Sequence, residues 1–178
     1  SMLTQKAEAV TRMVLGAVKE LGCRAVLATG WGGLATHPDL ADPHVFVLKQ
    51  APHDWLFPRM AGAVHHGGAG TTAAACRAGI PSLIMPFITE QAFWSARLEE
   101  KGIAPPHLNR RTVTTGAFKR GIAKLLDPAM AARAEALGAR IRAENGVDRA
   151  IAQLTDWGLL KDGDAAPSEP PTELHATV

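Results

Sequence analysis

The chain has 178 residues, of which 47% are hydrophobic, a net charge of +2 with neutral histidines, and a mean hydropathy of +0.01. This length suits one domain with a substantial core, and the interspersed acids and bases indicate no nucleic-acid or membrane-binding footprint. Cys23 and Cys76 lack CxxC spacing, which favours a reducing, cytoplasmic setting over a disulfide scaffold or a zinc site. No apolar run reaches the roughly 20 residues of a spanning helix, and the first 20 residues do not resemble a signal peptide.

The first elements follow from apolar spacing. Apolar residues in steps of four and three predict a helix over residues 4–21, which Gly22 ends. The short apolar run at residues 24–29 predicts a buried strand, followed by a glycine loop at residues 30–33. Residues 45–48 predict a second buried strand.

The centre of the chain continues the alternation of strands and helices. A turn at residues 51–54 leads into a short helical piece, and two further strands are predicted at residues 62–65 and 82–85. A helix over residues 89–101 follows, and Gly102 ends it. Three more helices are predicted at residues 114–126, 128–144 and 147–157.

Near-continuous apolar strands that alternate with helices are typical of α/β proteins. We therefore predict a Rossmann-like parallel sheet with helices on both faces. In such sheets, ligands bind at the C-terminal ends of the strands. The stretches GWGG, APHDW and HHGGAGTT all follow predicted strands, so they mark the expected binding edge.

The segment at residues 65–72 has the composition of an anion site. Gly67, Gly68 and Gly70 lack Cβ atoms, so backbone N–H groups can approach a ligand closely. Thr71 and Thr72 open a helix whose N-terminus faces the turn, and a helix N-terminus attracts anions such as phosphate. We therefore predict a nucleotide-sugar site.

Residues 68–73 also satisfy the dinucleotide pattern G-x-G-x-x-G/A, with Glu90 20 residues after Gly70. A dinucleotide turn is expected after the first strand, whereas this turn lies mid-chain, so NAD binding is the less favoured alternative. Tight strand–helix packing could explain one of the glycines, but it explains the histidines and threonines poorly.

Adjacent His65 and His66 point to opposite faces of a strand, so one can be buried while the other faces a site. They cannot easily share a metal ion, and no metal site is predicted. His66 is the candidate donor to a diphosphate oxygen. Glu90 and Gln91 suit either a solvated helix start or the hydroxyls of a sugar.

Residues 51–94 resemble the donor-binding signature of GT-B glycosyltransferases of the UDP-glycosyltransferase superfamily. Sterol and lipid glucosyltransferases are the most similar branch, and antibiotic glycosyltransferases come next. GWGGL at residues 30–34 and the segment at residues 127–147 also resemble that branch. The resemblance covers residues 1–160, which correspond to the C-terminal half of such an enzyme. We expect residues 161–178 to be a disordered tail.

The resemblance implies a role for each site residue. The predicted donor diphosphate contacts are His66, Gly68, Gly70 and Thr71. The predicted sugar contacts are Glu90 and Gln91, where the family usually has Asp at the first position. The predicted nucleoside contacts are Trp31, Ala51 and His53.

The resemblance also implies the reaction. An inverting transfer moves a hexose, expected to be glucose, from UDP to a hydroxyl of a sterol or another lipid-like acceptor. The catalytic base is expected in an N-terminal acceptor domain, so this chain alone should be inactive. No cofactor, metal or nucleic acid is expected, and peripheral membrane contact would come through the full-length enzyme. A dTDP-sugar enzyme of natural-product biosynthesis and a non-catalytic donor-binding subunit remain alternatives.

Overall fold

The computed structural model describes residues 2–28 and 42–160, with side chains from Val10 onward. Trp31, the predicted glycine loop at residues 30–33 and the predicted tail at residues 161–178 lie outside the described residues. The chain divides into two units, residues 1–142 and residues 143–178.

Helices and strands alternate in the order that the sequence predicts. The helices are α1 (Met2–Leu21), α2 (His53–Leu56), α3 (Ala69–Ala78), α4 (Thr89–Glu100), α5 (Thr115–Leu125), α6 (Pro128–Glu144) and α7 (Gly146–Asp156). The strands are β1 (Ala25–Ala28), β2 (Val45–Leu48), β3 (Ala63–His65) and β4 (Ser82–Ile84). The predicted helical piece at residues 55–60 is α2 followed by a 3-10 helix, Phe57–Arg59.

The strands pair in parallel, as predicted, but within the described residues they form two two-stranded sheets instead of the single predicted sheet. β1 pairs with β2, and β3 pairs with β4. Residues 103–108 extend this arrangement, because the Ser82 N–H donates to the Ile103 carbonyl at 3.1 Å and the Leu108 N–H donates to the Ile84 carbonyl at 3.0 Å. The Met85 N–H donates to the His65 carbonyl instead. Residues 103–108 therefore lie along the edge of β4 that faces away from β3.

Strand β4 is the centre of the core and is buried on both faces. Leu83 and Ile84 are each 0% exposed, and consecutive side chains of a strand point to opposite faces. The Leu83 side packs against α1 and α5, in a cluster of Met13, Ala17, Leu83, Phe118 and Leu125. The Ile84 side packs against α3, α4 and α6, in a cluster of Cys76, Ile84, Leu98, Ile103, Ala104 and Ala134. The predicted α/β fold with helices on both faces is confirmed.

Unit 2 contains α7, which follows Asn145 in the left-handed region at φ 46°. Several large apolar side chains of this unit are exposed, namely Val147, Ile151, Trp157 and Leu159. In the described part of the chain, no helix combines the length and apolar character needed to cross a membrane.

Helices α3 and α6 approach each other at two glycines. Gly79 ends α3 with φ 75°, a left-handed conformation that favours glycine. A Cβ on Gly138 of α6 would lie 2.7 Å from the Gly79 Cα and 2.9 Å from the Cys76 carbonyl oxygen. These atoms belong to the backbone, so they cannot move aside as a side-chain end could.

Gly138→Ala should therefore lower the free energy of unfolding by about 1–3 kcal/mol, the usual range for overpacking. Gly116→Ala in α5 is the matched control, because the nearest heavy atom to its Cβ would be the Arg120 Nη1 at 3.5 Å. We expect that control to be neutral or to stabilise by up to about 1 kcal/mol through helix propensity. Urea denaturation of both variants provides the measurement, and equal stabilities would contradict the packing assignment.

Candidate functional site

The glycine turn after β3 is held by close contacts that only glycine permits. Gly67 has φ 90°, and a Cβ there would lie 2.7 Å from the Ile84 Cγ2 and 3.1 Å from the Gln91 carbonyl oxygen. The first turn of α4 therefore packs directly against the turn between β3 and α3. The predicted diphosphate segment and the predicted sugar segment are adjacent in space.

The N-terminus of α3 is open to a ligand. The helix begins at Ala69, two residues before the predicted Thr71, and the Thr72 N–H donates to the Gly68 carbonyl at 2.9 Å. The N–H groups of Ala69, Gly70 and Thr71 precede that bond, so helix geometry provides them no intrahelical acceptor. Gly68 provides no side-chain cap, and a Cβ on Gly70 would meet nothing within 4 Å. The arrangement can hold an anion through backbone N–H groups.

His65 is turned into the protein and supports the turn. Its Nδ1 accepts a hydrogen bond from the Gly67 N–H at 3.0 Å. Burial above all, and then the charges of His66 and His53, lower the pKa of His65 from 6.5 to about 4. The ring is therefore neutral at pH 7, with its proton on Nε2, a buried atom that has no hydrogen-bond partner among the described residues.

His66 is exposed and lies beside the helix N-terminus. A Cβ on Gly68 would overlap the His66 Nε2, which shows how closely the imidazole covers that glycine. The His66 ring also meets the Phe87 ring edge-on, with centroids 6.4 Å apart. His65 is half-buried and His66 is exposed, as expected for adjacent side chains on opposite faces of a strand. A diphosphate contact by His66 remains a prediction.

Glu90 and Gln91 occupy the first turn of α4, where the structure gives them different roles. The Gln91 Oε1 accepts hydrogen bonds from the Phe87 N–H at 2.6 Å and the Ile88 N–H at 3.3 Å. Its amide oxygen therefore shapes the preceding loop, and its NH₂ group is the part that can serve a ligand. The Glu90 carboxylate is exposed. Sugar binding by the pair remains a prediction.

The predicted nucleoside contacts are described only in part. Ala51 is half-buried, and His53 is exposed and stacked on Phe57, with ring centroids 4.6 Å apart and planes at 13°. Phe57 packs in a cluster with Ala63 of β3, so the start of α2 lies near that strand. Trp31 is outside the described residues.

The structure also shows a basic cluster near Phe87, in a segment where the sequence patterns predict neither a helix nor a strand. The Arg110 guanidinium lies over the Phe87 ring, with its Cζ 4.2 Å from the centroid. Beside it lies an open cleft of about 310 Å³, lined by Pro86, Phe87, His107, Asn109, Arg110 and Arg111. The available signal was the dense polar run HLNRR after two prolines.

The described residues offer little for metal or thiol chemistry. Within residues 2–28 and 42–160, no three His, Cys, Asp or Glu side chains are close enough together to hold a metal ion. Burial raises the pKa of the Cys76 thiol, so it remains protonated at neutral pH.

Parallel strands followed by an open helix N-terminus at their C-terminal ends are typical of nucleotide-binding α/β domains, and the solved structures with this fold are GT-B glycosyltransferases. The glycosyltransferase of kitacinnamycin matches with a TM-score of 0.74 and 26% identity, over 84% of this chain and 39% of that one. The glycosyltransferase VinC, solved in complex with dTDP, matches with a TM-score of 0.61 and 25% identity, over 72% of this chain and 32% of its own.

The chain belongs to the family described as erythromycin biosynthesis protein CIII-like, C-terminal domain, whose pattern matches residues 12–153. A sterol 3-beta-glucosyltransferase of Aspergillus oryzae is 37% identical in an alignment of 158 residues that covers 85% of this chain and 11% of the relative. The sterol 3-beta-glucosyltransferase UGT80A2 of Arabidopsis thaliana is 36% identical over 151 residues, which are 85% of this chain and 24% of the relative. The chain thus spans a quarter or less of the length of these relatives.

The lowered pKa of His65 predicts a specific pH dependence of stability. Below pH 6.5 the unfolded chain binds a proton at His65, whereas the folded chain binds it only near pH 4. Stability should therefore fall as the pH falls through this window, by roughly 1.4 kcal/mol per unit from this group. His65→Asn keeps an acceptor for the Gly67 N–H but does not titrate, so its stability should fall less steeply. Urea denaturation between the two pKa values tests this, and equal slopes in both proteins would contradict the assignment.

Proposed function

We propose that this chain is the donor-binding part of an inverting glycosyltransferase that transfers glucose from UDP-glucose to a hydroxyl of a sterol or another lipid-like acceptor. The observation that carries the proposal is the open N-terminus of α3, with the imidazole of His66 beside it. The names of the sterol 3-beta-glucosyltransferase relatives support the choice of glucose and of a sterol-like acceptor.

The site residues provide binding and stabilisation of the leaving group. As the bond from the sugar to UDP breaks, negative charge develops on the diphosphate. Backbone N–H groups at Gly70 and Thr71, together with His66, face that charge and lower the barrier. These donors are in place before the reaction, so they need no reorganisation, and the scheme needs no cofactor or metal beyond the sugar donor.

The sugar and the nucleoside bind on either side of this diphosphate site. Glu90 accepts and the Gln91 NH₂ donates hydrogen bonds to hexose hydroxyls, whereas Trp31, Ala51 and His53 contact the nucleoside. The base that deprotonates the acceptor belongs to an N-terminal acceptor domain of the same enzyme, so this chain binds donor and transfers little by itself. The free thiols of Cys23 and Cys76 support a cytoplasmic location. Peripheral membrane contact would come through the full-length enzyme.

One alternative donor has a specific observation in its favour. VinC shares this fold and was solved with dTDP. A dTDP-sugar donor would place this chain in a natural-product glycosyltransferase, and the donor affinities below separate the two. A donor-binding subunit without catalysis would bind the same ligands. NAD is the third choice, because the turn follows β3 rather than the first strand.

Calorimetric titration with UDP, UDP-glucose, dTDP and NAD tests the donor. We expect UDP to bind and His66→Ala to weaken it by about tenfold or more, which corresponds to about 1.4 kcal/mol. His44→Ala removes another exposed histidine and should leave the affinity unchanged. Tighter binding of dTDP would move the chain to the natural-product branch. Binding of NAD without UDP would reject the glycosyltransferase donor site.

Gly70→Ala tests the close approach of the diphosphate to the backbone. The new methyl group meets no protein atom within 4 Å, so the free chain should be at least as stable as the wild type. The same methyl group would occupy the space above the free N–H groups, so UDP affinity should fall. Gly116→Ala, also at a helical glycine, should bind UDP as the wild type does. Undiminished UDP affinity in Gly70→Ala would place the diphosphate elsewhere.

A further inference from the structure

The carboxyl edge of the sheet contains more than the donor site. Residues 103–108 run beside β4 in the direction of that strand, since the hydrogen bonds join Ser82 to Ile103 and Ile84 to Leu108. They therefore bring residues 109–111 to the same edge as the glycine turn, on the far side of β4 from β3. Ligands of parallel sheets bind at this edge.

The cleft at this edge is lined mainly by hydrogen-bond donors. Its polar lining comes from His107, Asn109, Arg110 and Arg111, and it includes no carboxylate. Within the described part of the chain, neither guanidinium takes part in an ion pair. The Asn109 Oδ1 accepts a hydrogen bond from the Arg111 N–H at 2.9 Å, which leaves the amide NH₂ as its free group. An anion is the ligand that satisfies such a lining.

The Arg110 side chain is already positioned. Its guanidinium lies 4.2 Å from the centroid of the Phe87 ring, and a cation–π contact of this kind uses the face of the guanidinium. The N–H groups at its edge remain available to the two oxygens of a phosphate. The Phe87 N–H is held at 2.6 Å by the Gln91 Oε1, so the platform under Arg110 is tied to the first turn of α4.

The neighbouring surface is apolar. Phe87, Ile88 and Phe93 are 60%, 57% and 56% exposed. A cationic cleft beside exposed aromatic and aliphatic side chains complements an amphiphile, whose anionic head and apolar tail need the two surfaces together.

We propose that the cleft lined by His107, Asn109, Arg110 and Arg111 is a second anion site, distinct from the glycine turn, and that it takes the phosphate headgroup of an anionic lipid. The apolar part of that lipid contacts Phe87 and Ile88. None of the cleft residues is assigned to the sugar donor, although the Gln91 Oε1 holds the neighbouring Phe87 N–H, so the proposal does not rest on the proposed function.

The first test uses inorganic phosphate and the 178-residue chain. With saturating UDP present to occupy the glycine turn, phosphate binding followed by calorimetry should weaken by about tenfold or more in Arg110→Gln/Arg111→Gln, because both forked donors are removed. The charge-matched control is Lys101→Gln/Arg140→Gln, which removes two cations from a different cleft of about 200 Å³. That control and His66→Ala should each retain the phosphate site. Loss of binding in the control, or no loss in the arginine variant, would overturn the assignment.

The second test identifies the source of the phosphate. Vesicles of phosphatidylcholine, with and without phosphatidate, are sedimented with the wild type and with the arginine variant. Phosphatidate-dependent binding that the arginine variant loses supports the lipid headgroup. Binding of inorganic phosphate without vesicle binding would overturn the lipid assignment. UDP titration of the wild type runs in parallel, so that a failed donor site is recognised without affecting the result at the cleft.

Discussion

The geometry of the site depends on the contacts around Gly67. The residue stands between the end of β3 and the start of α3, in a left-handed conformation, with the Ile84 methyl group and the Gln91 carbonyl where a side chain would be. Ile84 is fully buried and cannot yield. The core therefore fixes the direction in which α3 leaves the turn, and with it the direction of the free N–H groups. The anion site is in this sense a consequence of core packing.

The two adjacent histidines divide structural and ligand-facing roles. His65 accepts a hydrogen bond from the turn and stays neutral, because its burial makes a charged ring unfavourable. A neutral ring keeps the hydrogen bond to Gly67 intact over the physiological pH range. His66 can then interact with a ligand without affecting that support. An anion at the turn is attracted by the helix N-terminus and by His66, and His65 adds no charge.

Most strands and helices of the fold could be predicted from local sequence, but the segment at residues 103–111, beside β4, could not. Apolar runs and glycines predicted the strands and helix ends to within about two residues, because each pattern reflects burial or a local turn. Residues 103–108 contain Pro105 and Pro106, which lack N–H groups and disfavour a strand by any local criterion. They nevertheless lie beside β4, held by two hydrogen bonds at their ends, from Ser82 to Ile103 and from Leu108 to Ile84. Only the tertiary structure therefore brings Arg110 to the ligand edge, and the balanced overall charge conceals this local cluster.

The hydrogen bonds of Gln91 constrain how the proposed hexose would be recognised. Its amide oxygen already accepts from two backbone N–H groups of the preceding loop, so the side chain faces a ligand chiefly as a donor. The neighbouring Glu90 carboxylate can only accept when ionised. A sugar hydroxyl between the two would accept from Gln91 and donate to Glu90, which fixes its orientation. The same Gln91 oxygen holds the N–H of Phe87, on whose ring Arg110 rests. One amide thus connects the first turn of α4 to the platform of the cationic cleft.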